Sequence, residues 1–260
     1  NVQITAPVHQ SADVYADVYA SGHGENTVTG YALVTLDNRA LVRNVYGGAL
    51  DGTVRYAYDD KSAAIDYYDA NSGKYTHWEY ADPETVSENR NTRIIIEKGA
   101  TVKENVFGGG FGETATVYGA TSVSLLGGIV EGDIYGGGSR GNMEMLSGDA
   151  DKKVLSILEI YAGKVRRVFG GGLEGYIEGE SDVTIGLRKQ VVNGALSEKV
   201  YKNNKLIDAD IYWGKPAILR SAYGGGERGK VTNTNITMNN GYVGYDYDYK
   251  TGKYFPNVKL

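Results

Sequence analysis

Val168-Phe169-Gly170-Gly171-Gly172 decides the fold, because the same five-residue pattern returns along the chain. Copies stand at Val106-Phe107-Gly108-Gly109-Gly110, Ile134-Tyr135-Gly136-Gly137-Gly138 and Ala222-Tyr223-Gly224-Gly225-Gly226, and Val45-Tyr46-Gly47-Gly48-Ala49 is a slightly eroded one. An earlier copy, Val18-Tyr19-Ala20-Ser21-Gly22-His23-Gly24-Glu25, aligns with Val106-Phe107-Gly108-Gly109-Gly110-Phe111-Gly112-Glu113. Recurrence of this kind marks a solenoid, in which each repeat is one coil that buries itself only against its neighbours.

The rings fall at Tyr19, Tyr46, Phe107, Tyr135, Phe169 and Tyr223, with spacings of 27, 61, 28, 34 and 54 residues. The basic period is therefore 27 or 28 residues. Because 54 is twice 27 and 61 is 27 plus 34, each long gap has room for a whole extra coil or for a projecting hairpin. Within one period, Val123-Ser124-Leu125 and Val183-Thr184-Ile185 alternate as strands do. Ile94-Ile95-Ile96 runs into a corner at Gly99, and Gly127-Gly128 follows Leu126. At ~3.3 Å per residue a period makes a circuit of roughly 90 Å, which suits short sides with bends, each coil lying ~4.8 Å above the last. No stretch carries helical amphipathicity, so the bends themselves must return the chain to the next parallel strand. The expected fold is all-β: one single-stranded parallel β-helix over 1–260, right-handed by the general rule for parallel crossovers.

Two Tyr- and Asp-rich segments interrupt the pattern. Asp66-Tyr67-Tyr68-Asp69-Ala70-Asn71-Ser72-Gly73-Lys74-Tyr75 lies in an insertion over 55–90, and Tyr245-Asp246-Tyr247-Asp248-Tyr249-Lys250-Thr251-Gly252-Lys253-Tyr254 lies in a C-terminal hairpin or cap over 242–260. A third hairpin is expected over 196–213, turning at Asn203-Asn204. A cap would protect the edge left at the end of the stack.

Composition narrows function. Thirty-seven glycines against four prolines, set at fixed offsets from apolar pairs, mark corners and not a flexible linker. The net charge of −5 carries no basic stripe, which argues against nucleic acid as a partner. No apolar run approaches the ~20 residues that span a bilayer. With no cysteine, disulfides, thiolate metal sites and cysteine nucleophiles are excluded together. No secretory leader is visible at Asn1-Val2-Gln3-Ile4, so any leader is expected to have been removed.

The Val-Phe-Gly-Gly-Gly-x-x-Gly units, and the run from Gly127 to Gly138 that links two of them, resemble the repeats of large surface proteins of gut Bacteroidetes. Those repeats are similar in style to adhesin-like, right-handed β-helices of pectin-lyase-like architecture. The resemblance covers Val18 to about Tyr249 and implies an extracellular or cell-surface location on a bacterium, with a glycan or protein ligand. It supplies no catalytic motif, and β-helices carry adhesins as well as polysaccharide lyases and hydrolases.

Individual constellations are weaker. Gly22-His23-Gly24 is similar to the Gly-His-Gly of polygalacturonases, but the Asn-Thr-Asp that accompanies it there is missing, and His23 occupies the repeat position of Phe111. Gly109 to Thr114 departs from the calcium-binding nonapeptide by lacking Asp at Thr114. Asp66, Asp69 and Asn71, or Asp246 and Asp248, are the right chemistry for calcium, but solvated hairpin edges use the same residues. Arg166-Arg167 and Arg188-Lys189 are what a lyase would use to neutralise a uronate, though coil faces carry such residues anyway. In each β-branched–aromatic pair, successive side chains point to opposite faces, so the aliphatic member is placed inside and the ring in an outer, partly covered ladder.

No catalytic residue, metal ligand or cofactor is assigned. The ligand-binding candidates are Tyr67, Tyr68, Tyr75, Trp78 and Tyr80, because rings beside Asp and Asn suit carbohydrate or protein contact. The same rings would equally serve to pin the insertion to the coil wall. The expected role is a non-catalytic structural or adhesive module. The alternative is a polysaccharide lyase or glycoside hydrolase on the same scaffold.

Overall fold

Short β-branched runs separated by glycine corners fold as their alternation dictates. In Ala32–Leu36 every second side chain is buried, and Val34 and Leu36 face Ile94 and Ile96 of the next coil. A computed structural model of the chain describes residues 2–4, 16–37, 39–55, 66–69, 74–77, 90–145, 154–186, 191–192, 195–196, 200–202, 205–207, 215–248 and 250–257. Its described residues form one parallel sheet of 18 strands, accompanied by four two-stranded antiparallel sheets. The protein is an all-β parallel solenoid, and no helix among the described residues is long and apolar enough to cross a membrane.

Each coil contributes to four walls. On the first wall Ala32–Leu36 pairs with Arg90–Ile96, which pairs in turn with the start of Ala120–Tyr135, and the stack continues through Leu155–Phe169, Ile177–Ile185 and Val231–Met238. The second wall holds Leu41–Val42, Thr101–Val102, and Ile129, Lys164, Ala217 and Tyr242 with the residues after them. The third is the aromatic wall, and the fourth carries Thr53–Arg55, Thr116–Tyr118 and Asn142–Glu144. Corners fall where glycine was expected, as at Gly99 with φ 95°.

On the aromatic wall Tyr19 pairs with Tyr46, Tyr46 with Phe107, Phe107 with Tyr135, Tyr135 with Phe169 and Phe169 with Tyr223. The gaps of 61 and 54 residues therefore hold no extra level: the chain leaves after Arg55 or Gly186 and rejoins one rung higher. The antiparallel pairs Asp66–Asp69 with Lys74–His77 and Val200–Lys202 with Lys205–Ile207 belong to these excursions.

In the four inner aliphatic–aromatic pairs, from Val45–Tyr46 to Val168–Phe169, both members are buried. Val45, Val106, Ile134 and Val168 pack in the central core with the Val34/Leu36 and Ile94/Ile96 columns. The rings turn the other way and form a separate buried stack of Tyr46, Phe107, Tyr135 and Phe169. Adjacent centroids lie 4.7 to 5.0 Å apart from Tyr19 to Tyr223, with nearly parallel planes, so the ring spacing is the spacing of the coils. The ring's opposite orientation to the aliphatic residue agrees with the alternation of a strand. Its cover is more complete than sequence suggested, since Phe169 is only 3% exposed.

A column of hydroxyls locks each triglycine turn to the first wall. Thr92, Thr121 and Ser156 donate from Oγ to the carbonyls of Gly108, Gly136 and Gly170 at 2.5, 2.6 and 2.6 Å, and Ser181 does the same to Gly224. All four side chains are buried. Deleting one leaves a carbonyl without its partner in the interior, so Ser156→Ala is expected to lower stability by about 1–3 kcal/mol. Urea unfolding would show this as a lower midpoint at unchanged slope, and an unmoved midpoint would mean that the hydroxyl contributes nothing.

Candidate functional site

The residue before each aliphatic–aromatic pair is polar, and these residues form a ladder beside the ring stack. Asp17, Asn44, Asn105 and Asp133 occupy successive rungs. The Asp17 carboxylate accepts from Arg43 at 2.7 and 2.6 Å and from Asn44 Nδ2 at 3.0 Å. Asn44 Oδ1 accepts the Asn105 N–H, and Asn105 Oδ1 accepts the Asp133 N–H, each at 2.9 Å. Side-chain amides suit this position because each supplies an acceptor to the coil above while keeping a donor for the coil below.

The ladder culminates at Asp133, which is 1% exposed. The register slips between Val130 and Asp133 against the next coil, so the consecutive Arg166 and Arg167 both reach the same carboxylate. Arg166 donates to its two oxygens at 2.8 and 2.5 Å, and Arg167 at 3.2 and 2.7 Å. Arg167 continues to Glu227 at 3.3 Å and lies over the Phe169 ring at 5.0 Å, while the Tyr135 hydroxyl donates to Glu227. Burial pushes the Asp133 carboxyl upward, but the hydrogen bonds and charges of Arg166 and Arg167 overcome it and hold the group below the ordinary aspartate range. Burial, then Glu227, raise the Tyr135 phenol. The centre is thus a closed network of two cations and two carboxylates. Arg166 and Arg167, considered above as uronate-binding cations, are engaged by Asp133 and Glu227.

A second cluster lies at the corner after the first wall. Leu36 pairs with Ile96, so Asp37 and Glu97 follow on adjacent rungs. Burial, and then the charge of Asp37, hold the Glu97 carboxyl above its ordinary range.

Of the ligand-binding candidates, Tyr67 and Tyr68 lie on Asp66–Asp69 and Tyr75 on Lys74–His77, with Tyr68 opposite Tyr75 in the backbone pairing. Trp78 and Tyr80 lie outside the described residues, as do Asn71, Arg188 and Lys189. His23 bridges to Leu50 and Leu50 to Phe111, the repeat position its alignment assigned. Asp246 pairs with Lys164, and Asp248 accepts from Thr251 Oγ1 at 2.7 Å and Lys250 N at 2.8 Å, closing its own turn. Among the described residues no group of three or more His, Asp and Glu is placed to hold a metal ion.

Sequence reasoning missed both Asp133 and the Asp37–Glu97 pair. A signal for the first was present, since a polar residue stands before every aliphatic–aromatic pair. No protein family, curated protein or solved structure matches this chain.

Proposed function

We propose that the protein is a non-catalytic interaction module, a rigid β-solenoid that works outside the cell or on its surface and touches a glycan or protein through its inserted segments. What supports this best is the closure of the Asp133 network. Two arginines with the right charge for an acidic sugar are turned onto a buried carboxylate of their own wall, where they brace coils. The Tyr-rich segment after Arg55 adds no level to the stack: Tyr46 pairs directly with Phe107, and Asp66–Asp69 pairs with Lys74–His77 in a sheet of its own.

A second reading, hydrolysis of a glycan, rests on the raised Glu97 carboxyl above Asp37. One panel separates the two. Neutral and uronate polysaccharides, incubated with the protein, are assayed for binding and for new reducing ends or unsaturated products. The module reading expects binding without products, weakened about tenfold when a stacking ring is lost in Tyr75→Ala or Trp78→Ala. Products that vanish in Glu97→Gln would establish catalysis instead. Binding untouched by all of Tyr67→Ala, Tyr68→Ala, Tyr75→Ala, Trp78→Ala and Tyr80→Ala would remove the inserted segment as the site.

A further inference from the structure

In the second position of the triglycine turn, a Cβ would run into the backbone of the coil that follows. On Gly48 it would lie 2.7 Å from Gly110 N, on Gly109 2.7 Å from Gly138 N, on Gly137 2.9 Å from Gly172 N and on Gly171 2.5 Å from Gly226 N. None of these glycines has a positive φ, so close approach and not conformation demands the missing side chain. Gly225 holds the same position in the last turn. Its φ is not positive either, and a Cβ there would meet nothing within 4 Å. Gly24 and Gly244 also face open space, but their φ values of 102° and 79° account for them. Among the described residues nothing requires glycine at 225, whereas a coil stacked above it as closely as in the four turns from Gly48 to Gly171 would; Ser21, at the same position of the first turn, stands where the triglycine is not kept.

The surroundings of Gly225 agree. Tyr223 stacks on Phe169 at 4.8 Å with one face, and it is 46% exposed. Ile236 and Met238 continue the core columns of Val183 and Ile185, yet they are 44% and 51% exposed. At the opposite end, among the described residues, Val2–Ile4, Val18–Tyr19 and Val28–Thr29 each pair on one side, always parallel. The two ends therefore carry complementary edges of one parallel stack.

We infer that a second copy of this chain docks head to tail, its first coil lying on the last coil of the copy below. Val18–Tyr19 of the upper copy continues the aromatic wall over Ala222–Tyr223. Glycines in the third turn position point back at the preceding coil, as Gly226 does at Gly172 O, 2.5 Å from a Cβ. Gly22 is the corresponding residue of the first coil and would lie over Gly225. The occupant is a second copy because the two ends carry matching parallel edges, and after Val243 the chain leaves the stack for the hairpin of Tyr245–Asp248 with Lys253–Pro256. That hairpin folds back on the rung of Ala217–Tyr223, one below Tyr242–Val243, with Tyr254 donating to Lys215 O at 2.5 Å and Asn257 to Leu219 O at 3.1 Å. A head-to-tail contact between unlike surfaces propagates, so the product is a linear assembly that lengthens with concentration.

Sedimentation velocity on the whole chain tests this. The wild type is expected to show a weight-average mass at least doubling across a concentration series. Gly225→Leu is expected to stay at the single-chain mass with unchanged thermal unfolding, because its side chain enters open space in the lone molecule. The chain has no cysteine, so a Tyr19→Cys/Tyr223→Cys double variant can report the pairing directly. Under oxidation it should give a ladder of covalent oligomers, while each single variant stays monomeric. A wild type at single-chain mass throughout, association unchanged in Gly225→Leu, or covalent dimers from either single variant would each overturn the proposal. The outcome is independent of any glycan or protein ligand.

Discussion

Gly109→Val is expected to abolish cooperative folding or to lower stability by more than about 4 kcal/mol, the range reserved for damage that cannot relax. Its Cβ would sit 2.7 Å from Gly138 N and 3.0 Å from Gly138 Cα, which are main-chain atoms and not the tip of a mobile side chain. Backing away would strain the rungs on either side, where Gly108 N donates to Tyr135 O at 2.9 Å and Gly109 N to Gly137 O at 3.2 Å. The stacking of Phe107 on Tyr135 ties the same two levels together. Gly225→Val is the matched control, since it changes the same turn position where no neighbour is within reach. Far-UV circular dichroism through a urea titration should show the first variant unfolded or strongly shifted and the second close to wild type. Equal loss in both would mean that valine's own conformational preference, not the approach of the next coil, decides the matter.

The second large effect concerns Asp133. Asp133→Ala removes the acceptor for two guanidinium groups at a position that is itself 1% exposed. Breaking a buried ion pair from one side costs about 3–5 kcal/mol. The expected loss is nearer the lower figure, because the Arg166 and Arg167 side chains are 40% and 25% exposed and can turn towards water.

The loss depends on pH with a definite sign. The Asp133 carboxyl is pushed up by burial but held, on balance, below its ordinary value by Arg166 and Arg167. Asp17 is held down chiefly by its hydrogen bond to Arg43. In both cases the unfolded chain binds the proton more readily, so stability rises with pH. The contribution is complete above the ordinary aspartate value and disappears as pH falls through the lower, folded-state value. Glu97 runs the other way: its folded-state value is raised, so its contribution is complete below the ordinary glutamate value and lost as pH rises through the folded one. Melting temperatures of wild type and Asp133→Ala, measured from neutrality into acid, should therefore converge. Parallel curves would rule out the carboxylate's charge as the source of the difference.

The architecture was legible because one physical constraint writes itself plainly. Where main chains from adjacent coils approach this closely, only glycine fits, and the ring beside it must stack on its own kind. Phe107, Tyr135 and Phe169 carry that information without any alignment. The contents of the long gaps were not legible, since 54 and 61 residues fit an extra coil as well as an excursion, and only the pairing of Tyr46 with Phe107 and of Phe169 with Tyr223 separates them. Asp133 was hidden for a different reason. Its column changes chemistry from aspartate and asparagine to Arg167, and a local slip in register brings Arg166 to it, which no spacing rule foretells. Thr92, Thr121, Ser156 and Ser181 look like ordinary strand residues until their hydroxyls are seen to hold the turns.

The excursions at Arg55 and Gly186 have a bearing on how such a protein diversifies. Because the rungs before and after each one are hydrogen-bonded to each other directly, the length of what lies between is uncoupled from axial position. Closing a longer loop adds only about 0.6 kcal/mol per doubling. Segments of foreign sequence spliced in at these corners would therefore change what the rod displays while leaving every level, and the distance between its ends, where they were.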